Sequence, residues 1–143
     1  MRAYYDTSAL LKLLVSEPGA ADAIACWAAS EDQYASRIGY VELRAAAARL
    51  QRDGRVQPED GRRLRGDLEV LWRGLVPVPV DEAVSRHAGA LAERHRLRAL
   101  DAIHLAAAVR VAAPDEVLHF VSFDVRLRVA ATAEGLVVLP EVI

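Results

Sequence analysis

Four carboxylates, Asp6, Glu42, Asp101 and Asp124, occupy positions from which a folded chain could gather them at one place. Asp6 ends the apolar run Ala3-Tyr4-Tyr5 and is followed at once by Thr7, Ser8 and an amphipathic stretch. That pattern predicts a buried strand carrying Asp6 to its carboxyl end, with Thr7 and Ser8 opening a helix. In open α/β sheets that rim is where ligands bind. Carboxylates that converge repel, and each raises the others' pKa unless a cation neutralises them. Hard oxygen ligands without a thiolate suit Mg²⁺ or Mn²⁺, which keep some of their waters. Such an ion polarises a phosphoryl oxygen and lowers the pKa of its water for in-line attack.

Each acid also has an ordinary reading. Asp6 could be a plain helix N-cap, since Asp is favoured there; Ala9, three residues on, does not complete a capping box. Glu42 has Ile38, Gly39, Ala45 and Ala46 as its helical neighbours, none of them a cation. It is either an exposed glutamate or a carboxylate whose cationic partner, a metal for instance, comes from elsewhere. Asp101 heads the most apolar stretch, Leu100 to Ala108, so it must be a cap, a partner of Arg98 or a metal ligand. Asp124 follows Phe120-Val121-Ser122-Phe123 and could cap a helix or pair with Arg128 at i+4. His104, one turn after Asp101, reads as a hydrogen-bonded core histidine rather than a ligand. Ser122 could orient a carboxylate or hold a water.

The elements that must position these groups follow from periodicity and punctuation. Strands are expected at Arg2–Tyr5, Gln33–Ser36, Val76–Val80, Leu118–Phe123 and Leu136–Leu139. The prolines in Val76-Pro77-Val78-Pro79-Val80 restrict that segment to a sheet edge. Helices are expected at Thr7–Ser16, Ala20–Ala29 (with Ile24 and Trp27 facing inward), Ile38–Arg52 and Pro58–Arg73. Others should start after Asp81 and run over Leu100–Ala112 and Val125–Ala133. The third and fourth helices make a hairpin dense in arginine: Arg49, Arg52, Arg55, Arg62, Arg63 and Arg65. Strands alternating with helices predict an α/β fold, a parallel sheet with helices on both faces.

With 143 residues, 53% of them hydrophobic and 27% charged, the expectation is one globular domain, 1–143. One cysteine, Cys26, rules out an internal disulfide and a cysteine-based metal cluster, and fits a reducing cytoplasm. No signal-peptide pattern and no membrane-spanning apolar run is present. The net charge of −2 does not mark a nucleic-acid binder, yet Lys12 is the lone lysine and arginine supplies every other cation. Arginine's planar fork suits phosphate; a solvated face is the other reading of those residues.

Taken together, Tyr5-Asp6-Thr7-Ser8-Ala9-Leu10, the glutamate of Val41-Glu42-Leu43, Leu100-Asp101-Ala102-Ile103-His104-Leu105-Ala106 and Ser122-Phe123-Asp124 resemble PIN-domain ribonucleases. The resemblance is to the VapC-type toxins of bacterial toxin–antitoxin pairs, and it extends over essentially the whole chain. It implies a PIN-like three-layer α/β/α fold with a small, mostly parallel central sheet. It implies catalytic acids Asp6, Glu42, Asp101 and Asp124, with Asp6, Asp101 and Asp124 holding Mg²⁺ or Mn²⁺ and Thr7, Ser8 and Ser122 in support. Arg98, just ahead of Asp101, is the residue expected to meet phosphate or a site carboxylate. The resemblance further implies endonucleolytic cleavage of RNA to 3′-hydroxyl and 5′-phosphate ends, a homodimer, and silencing by a cognate antitoxin.

Other phosphate-handling α/β domains fit less well. A haloacid-dehalogenase-like phosphatase needs a second Asp where this chain has Ser8, and a receiver domain needs a late lysine that is absent. A PIN-fold nuclease acting on DNA or precursor rRNA, and a metal-free RNA- or protein-binding module, remain as alternatives.

Overall fold

The computed structural model describes residues 1–143. Five strands, β1 (Arg2–Tyr5), β2 (Asp32–Ser36), β3 (Val76–Val78), β4 (Leu118–Val121) and β5 (Val137–Leu139), form one sheet in the order β3-β2-β1-β4-β5. Every pairing is parallel. The proline-bearing β3 lies at an edge, where a missing backbone donor costs no ladder bond. Seven helices cover the sheet: α1 (Thr7–Leu14), α2 (Ala20–Ala28), α3 (Ile38–Arg52), α4 (Pro58–Arg73), α5 (Glu82–His95), α6 (Ala99–Val111) and α7 (Val125–Ala133).

The strand period of two divides the core. Ala3 and Tyr5 point into one cluster with Leu10, Leu43 and Leu68, while Tyr4 points into the other with Leu91, Leu105, Phe120 and Leu127. Near-continuous apolar strands buried on both faces are what a covered parallel sheet requires. Ile24, expected inside, is largely exposed; α2 buries Ala23 and Cys26 instead, with Trp27 packed beside them. No helix is long and apolar enough to cross a membrane.

The order places a topological switch at β1. The chain leaves β1 through α1 and α2 toward β2 on one side, while β4 and β5 lie on the other. Ligand sites of open α/β sheets form beyond the carboxyl ends of strands at such a point. Asp6 follows β1 and Ser122 follows β4, so both stand at that crevice.

Gly19 secures the entry to α2 beside this rim. Its φ is 89°, and a Cβ there would lie 2.7 Å from Cε1 of Phe123. Gly19→Ala is expected to cost about 2 kcal/mol through backbone strain and this clash. Thermal unfolding should show it as a fall in Tm of roughly 5 °C.

Candidate active site at the carboxyl rim

Asp6 has extended backbone and caps α1: its Oδ1 accepts the Ala9 N–H at 2.9 Å. The same oxygen accepts the Ser8 hydroxyl at 2.7 Å, and Oδ2 accepts the Ser122 hydroxyl at 2.6 Å. Only 3% of the residue is exposed. Burial pushes its carboxyl above the usual aspartate range, against the opposing pull of His104, Ser122, Ser8 and the Ala9 amide. Cap and buried rim carboxylate are therefore one residue.

Ser122 links two acids. It donates to Asp6 and accepts the Asp124 N–H at 3.1 Å. Asp124 caps α7 through Oδ1, which accepts the Leu127 N–H at 2.9 Å. Its Oδ2 lies 4.0 Å from Nη2 of Arg98, whose Nε in turn lies 3.3 Å from Oδ2 of Asp101. Arg98 is exposed and bridges the two carboxylates across the mouth of the rim. The helix cap at α6 is the Arg98 position, with no side-chain cap bond, so Asp101 is a first-turn acid rather than a cap. Arg128 does not pair with Asp124. It donates to the carbonyls of Ser122, Leu139 and Pro140, tying the ends of β4 and β5 to the C-terminal segment.

Glu42, on the second turn of α3, meets a partner from a distant element. Its Oε1 accepts the Thr7 hydroxyl at 2.8 Å and lies 2.6 Å from Nε2 of His104. Both bonds use Oε1, leaving Oε2 free of them. Behind it, Nδ1 of His104 lies 2.9 Å from the Tyr4 hydroxyl, which also accepts the Ser36 N–H at 3.0 Å. The chain is saturated when Nε2–H donates to Glu42 and the Tyr4 hydroxyl donates to Nδ1. Desolvation pushes the Glu42 carboxyl up, but the hydrogen bond and electrostatic attraction of the His104 ring, with the Thr7 hydroxyl, outweigh it and hold it below the usual glutamate range. His104 is thus a buried hydrogen-bonding residue, 2% exposed. Thr7 belongs to Glu42, whereas Ser8 belongs to Asp6.

The candidate residues consequently form two connected groups at one rim. One runs Ser8–Asp6–Ser122–Asp124–Arg98–Asp101, and the other runs Thr7–Glu42–His104–Tyr4. Adjacent residues, Asp6 and Thr7, join them. Tyr4 and the Ser36 amide were not singled out from sequence; a tyrosine hydroxyl in a doubly buried strand, obliged to find a partner, was the available signal. No three acidic, histidine or cysteine side chains stand close enough to enclose an ion. The donor set is nonetheless all oxygen at the exposed side, which fits Mg²⁺ or Mn²⁺. Mg²⁺ binds through one or two carboxylates and retained waters rather than a closed protein cage.

Ser122→Ala tests the linkage without touching an acid. It strips Oδ2 of Asp6 of its donor and the Asp124 amide of its acceptor. The expected cost is about 2 kcal/mol, read from the midpoint of urea unfolding with an unchanged m-value.

Comparison with known proteins agrees with this fold. The PIN domain family profile matches residues 3–133. Ribonuclease VapC45 of Mycobacterium tuberculosis (strain CDC 1551 / Oshkosh) is 38% identical over 137 residues, covering 96% of this chain and 94% of that protein. In structure, FitAcB from Neisseria gonorrhoeae superposes with a TM-score of 0.68 at 23% identity, covering 95% of each chain. A chain of a toxin-antitoxin complex from Klebsiella pneumoniae superposes with a TM-score of 0.58 at 20% identity, covering 85% of this chain and 86% of that one.

Proposed function

This chain belongs to the PIN-domain family, and on that premise we propose that it is a metal-dependent endoribonuclease, the toxin of a toxin–antitoxin pair. The observation that carries the reading is the row of carboxylates Asp6, Asp124 and Asp101 along the sheet's switch point, joined by Ser122 and Arg98. A relative over nearly its whole length is a ribonuclease by name, and a structural neighbour comes from a toxin-antitoxin complex. The partners on this reading are an RNA substrate, a cognate antitoxin and a second copy of the chain, in the cytoplasm.

Asp6, Asp101 and Asp124 would hold Mg²⁺ or Mn²⁺, one or two of them directly and the rest through waters the ion retains. When bound, the ion supplies a polarised phosphoryl oxygen and a water of lowered pKa. Ser8, Ser122 and the Ala9 amide fix the Asp6 carboxylate in one orientation, so little reorganisation is needed when charge develops. Glu42, anchored at Oε1 by Thr7 and His104, presents Oε2 to accept a proton from the attacking water. Arg98 is the one cation between the acids; when it leaves Asp101 and Asp124, its fork can take the substrate phosphate. The products are a 3′-hydroxyl and a 5′-phosphate.

The test pairs RNA and DNA oligonucleotides of one sequence with purified, Mn²⁺-loaded protein. Cleavage of RNA with DNA left intact is the expected result. Equal cleavage of both would move the assignment to a general nuclease of this fold, and cleavage of neither, in a pool of diverse RNAs, to a binding module.

A further inference from the structure

The arginine hairpin is the second charged feature of the molecule, and the acid site does not use it. Between residues 44 and 65 stand seven arginines (44, 49, 52, 55, 62, 63, 65) against three carboxylates (Asp53, Glu59, Asp60), a surplus of four positive charges in a chain of net charge −2. All seven are exposed. Arg44 pairs with Glu69, but none of the other six enters an ion pair. Elsewhere Arg2, Arg86, Arg94, Arg98 and Arg110 each have a carboxylate partner.

The hairpin is a firm support. Its turn closes at Gly54, with φ of 71°, and Leu43, Leu64 and Leu68 are buried. The last turn of α3 and the first turns of α4 thus hold like charges close together, where they repel unless an anion lies between them. The hairpin also leads from the acids. On α3, Glu42, Ala46 and Arg49 share a face, since seven residues are almost two turns. Small side chains at Ala45 and Ala46 leave that face bare, and Arg49 follows Glu42 by about 10 Å along the axis.

We propose that this hairpin is a docking surface for the phosphate backbone of single-stranded RNA, holding the strand where it leaves the acid site. The occupant rests on the ribonuclease reading above. Planar guanidinium forks fit phosphate, and repeated unpaired arginines fit a repeating anion. An acidic peptide shares the charge, but the bare helix face running to Glu42 favours a strand that also reaches the acids.

The experiment measures fluorescence anisotropy of a labelled, mixed-sequence single-stranded RNA in EDTA, across KCl concentration. It compares the wild type with R49Q/R52Q/R62Q and with R86Q/R96Q/R110Q, an equal charge change on exposed arginines outside the hairpin. Each phosphate contact on a single strand contributes about 0.7 to the slope of log K against log salt. The hairpin variant should lose about 2 from that slope and bind about fifty-fold more weakly at roughly 0.15 M salt. The control triple should keep the wild-type slope, and circular dichroism should show all three proteins folded. Equal slopes in the two triples would overturn the inference. So would poly-glutamate binding that depends on the hairpin while RNA binding does not. Binding is read without metal, so the two ideas fail separately. Hairpin-dependent binding without cleavage sinks only the nuclease reading, and cleavage with an unchanged slope sinks only the docking surface.

Discussion

Asp6→Asn is expected to abolish RNA cleavage, by at least about a thousandfold, while the protein stays folded. On the proposed reading Asp6 helps to hold the ion, and losing it would remove several kcal/mol of charge stabilisation at the reacting phosphate; each 1.36 kcal/mol is tenfold in rate. The fold should survive because asparagine keeps the Oδ1 acceptor that caps α1 at the Ala9 amide. Ser122 can turn its hydroxyl to accept from the new amide. Burial also disfavours the carboxylate at this position, so neutralising it removes a desolvation cost. Single-turnover cleavage beside thermal unfolding checks both halves. A Tm within a few degrees of wild type, together with lost cleavage, is the predicted pair of results; undiminished cleavage would remove Asp6 from the chemistry.

His104→Ala should act on stability and activity together. The substitution leaves the half-buried Glu42 carboxylate without its imidazole donor, and the buried Tyr4 hydroxyl without its partner, over an imidazole-sized void. Unsatisfied buried groups cost about 1–3 kcal/mol each. A total near 3 kcal/mol corresponds to a Tm lower by about 10 °C. Cleavage should fall by roughly 10–100-fold, the range for partners that orient a metal-site group. The pH profile separates positioning from mere support. In the wild type Glu42 is held below its ordinary pKa, so its contribution to stability is present above the ordinary glutamate value and is lost as pH falls through the lower folded value. Without His104, desolvation is left as the leading influence and the sign reverses: ionising Glu42 then destabilises the fold as pH rises. His104→Gln, which can still donate to Glu42 Oε1, should recover part of the activity. An unaltered pH dependence of stability in His104→Ala would contradict this role.

Much of the fold was legible because its signals are local. The α3, α4 and α7 boundaries coincide with those expected from periodicity, and Pro77 rightly restricts β3 to an edge. Asp6 and Asp124 as caps also rest on local chemistry, Asp6 accepting an amide three residues on and Asp124 doing the same. What sequence could not resolve are pairings across the chain. Glu42 looked unpartnered because its helical neighbours are small and apolar. Its partner, His104, is 62 residues away on α6 and reaches it only through the packing of α6 near β1. Arg128 lies at i+4 from Asp124, yet it donates instead to the carbonyls where β4 and β5 end. Asp101 was expected as a possible cap, but the helix begins two residues earlier, at Ala99. Ile24 faces outward because α2, entered through Gly19, presents Ala23 and Cys26 to the core.

The most direct test of the central claim is the chemistry of the RNA ends. Purified protein is incubated with an RNA pool, with Mn²⁺ and with EDTA, and the products are assigned by their susceptibility to 5′-phosphate-dependent exonuclease and to 3′-end ligation. On the proposed reading Glu42 would take a proton from water, whose oxygen would bond to phosphorus in line as the bond to the 3′-oxygen breaks; Asp6, Asp101 and Asp124 would hold the ion that polarises the phosphoryl oxygen. The account predicts 5′-phosphate and 3′-hydroxyl ends that appear with Mn²⁺ and vanish with EDTA. Cyclic 2′,3′-phosphate ends, or cutting that persists in EDTA, would show attack by the RNA's own 2′-hydroxyl and contradict it.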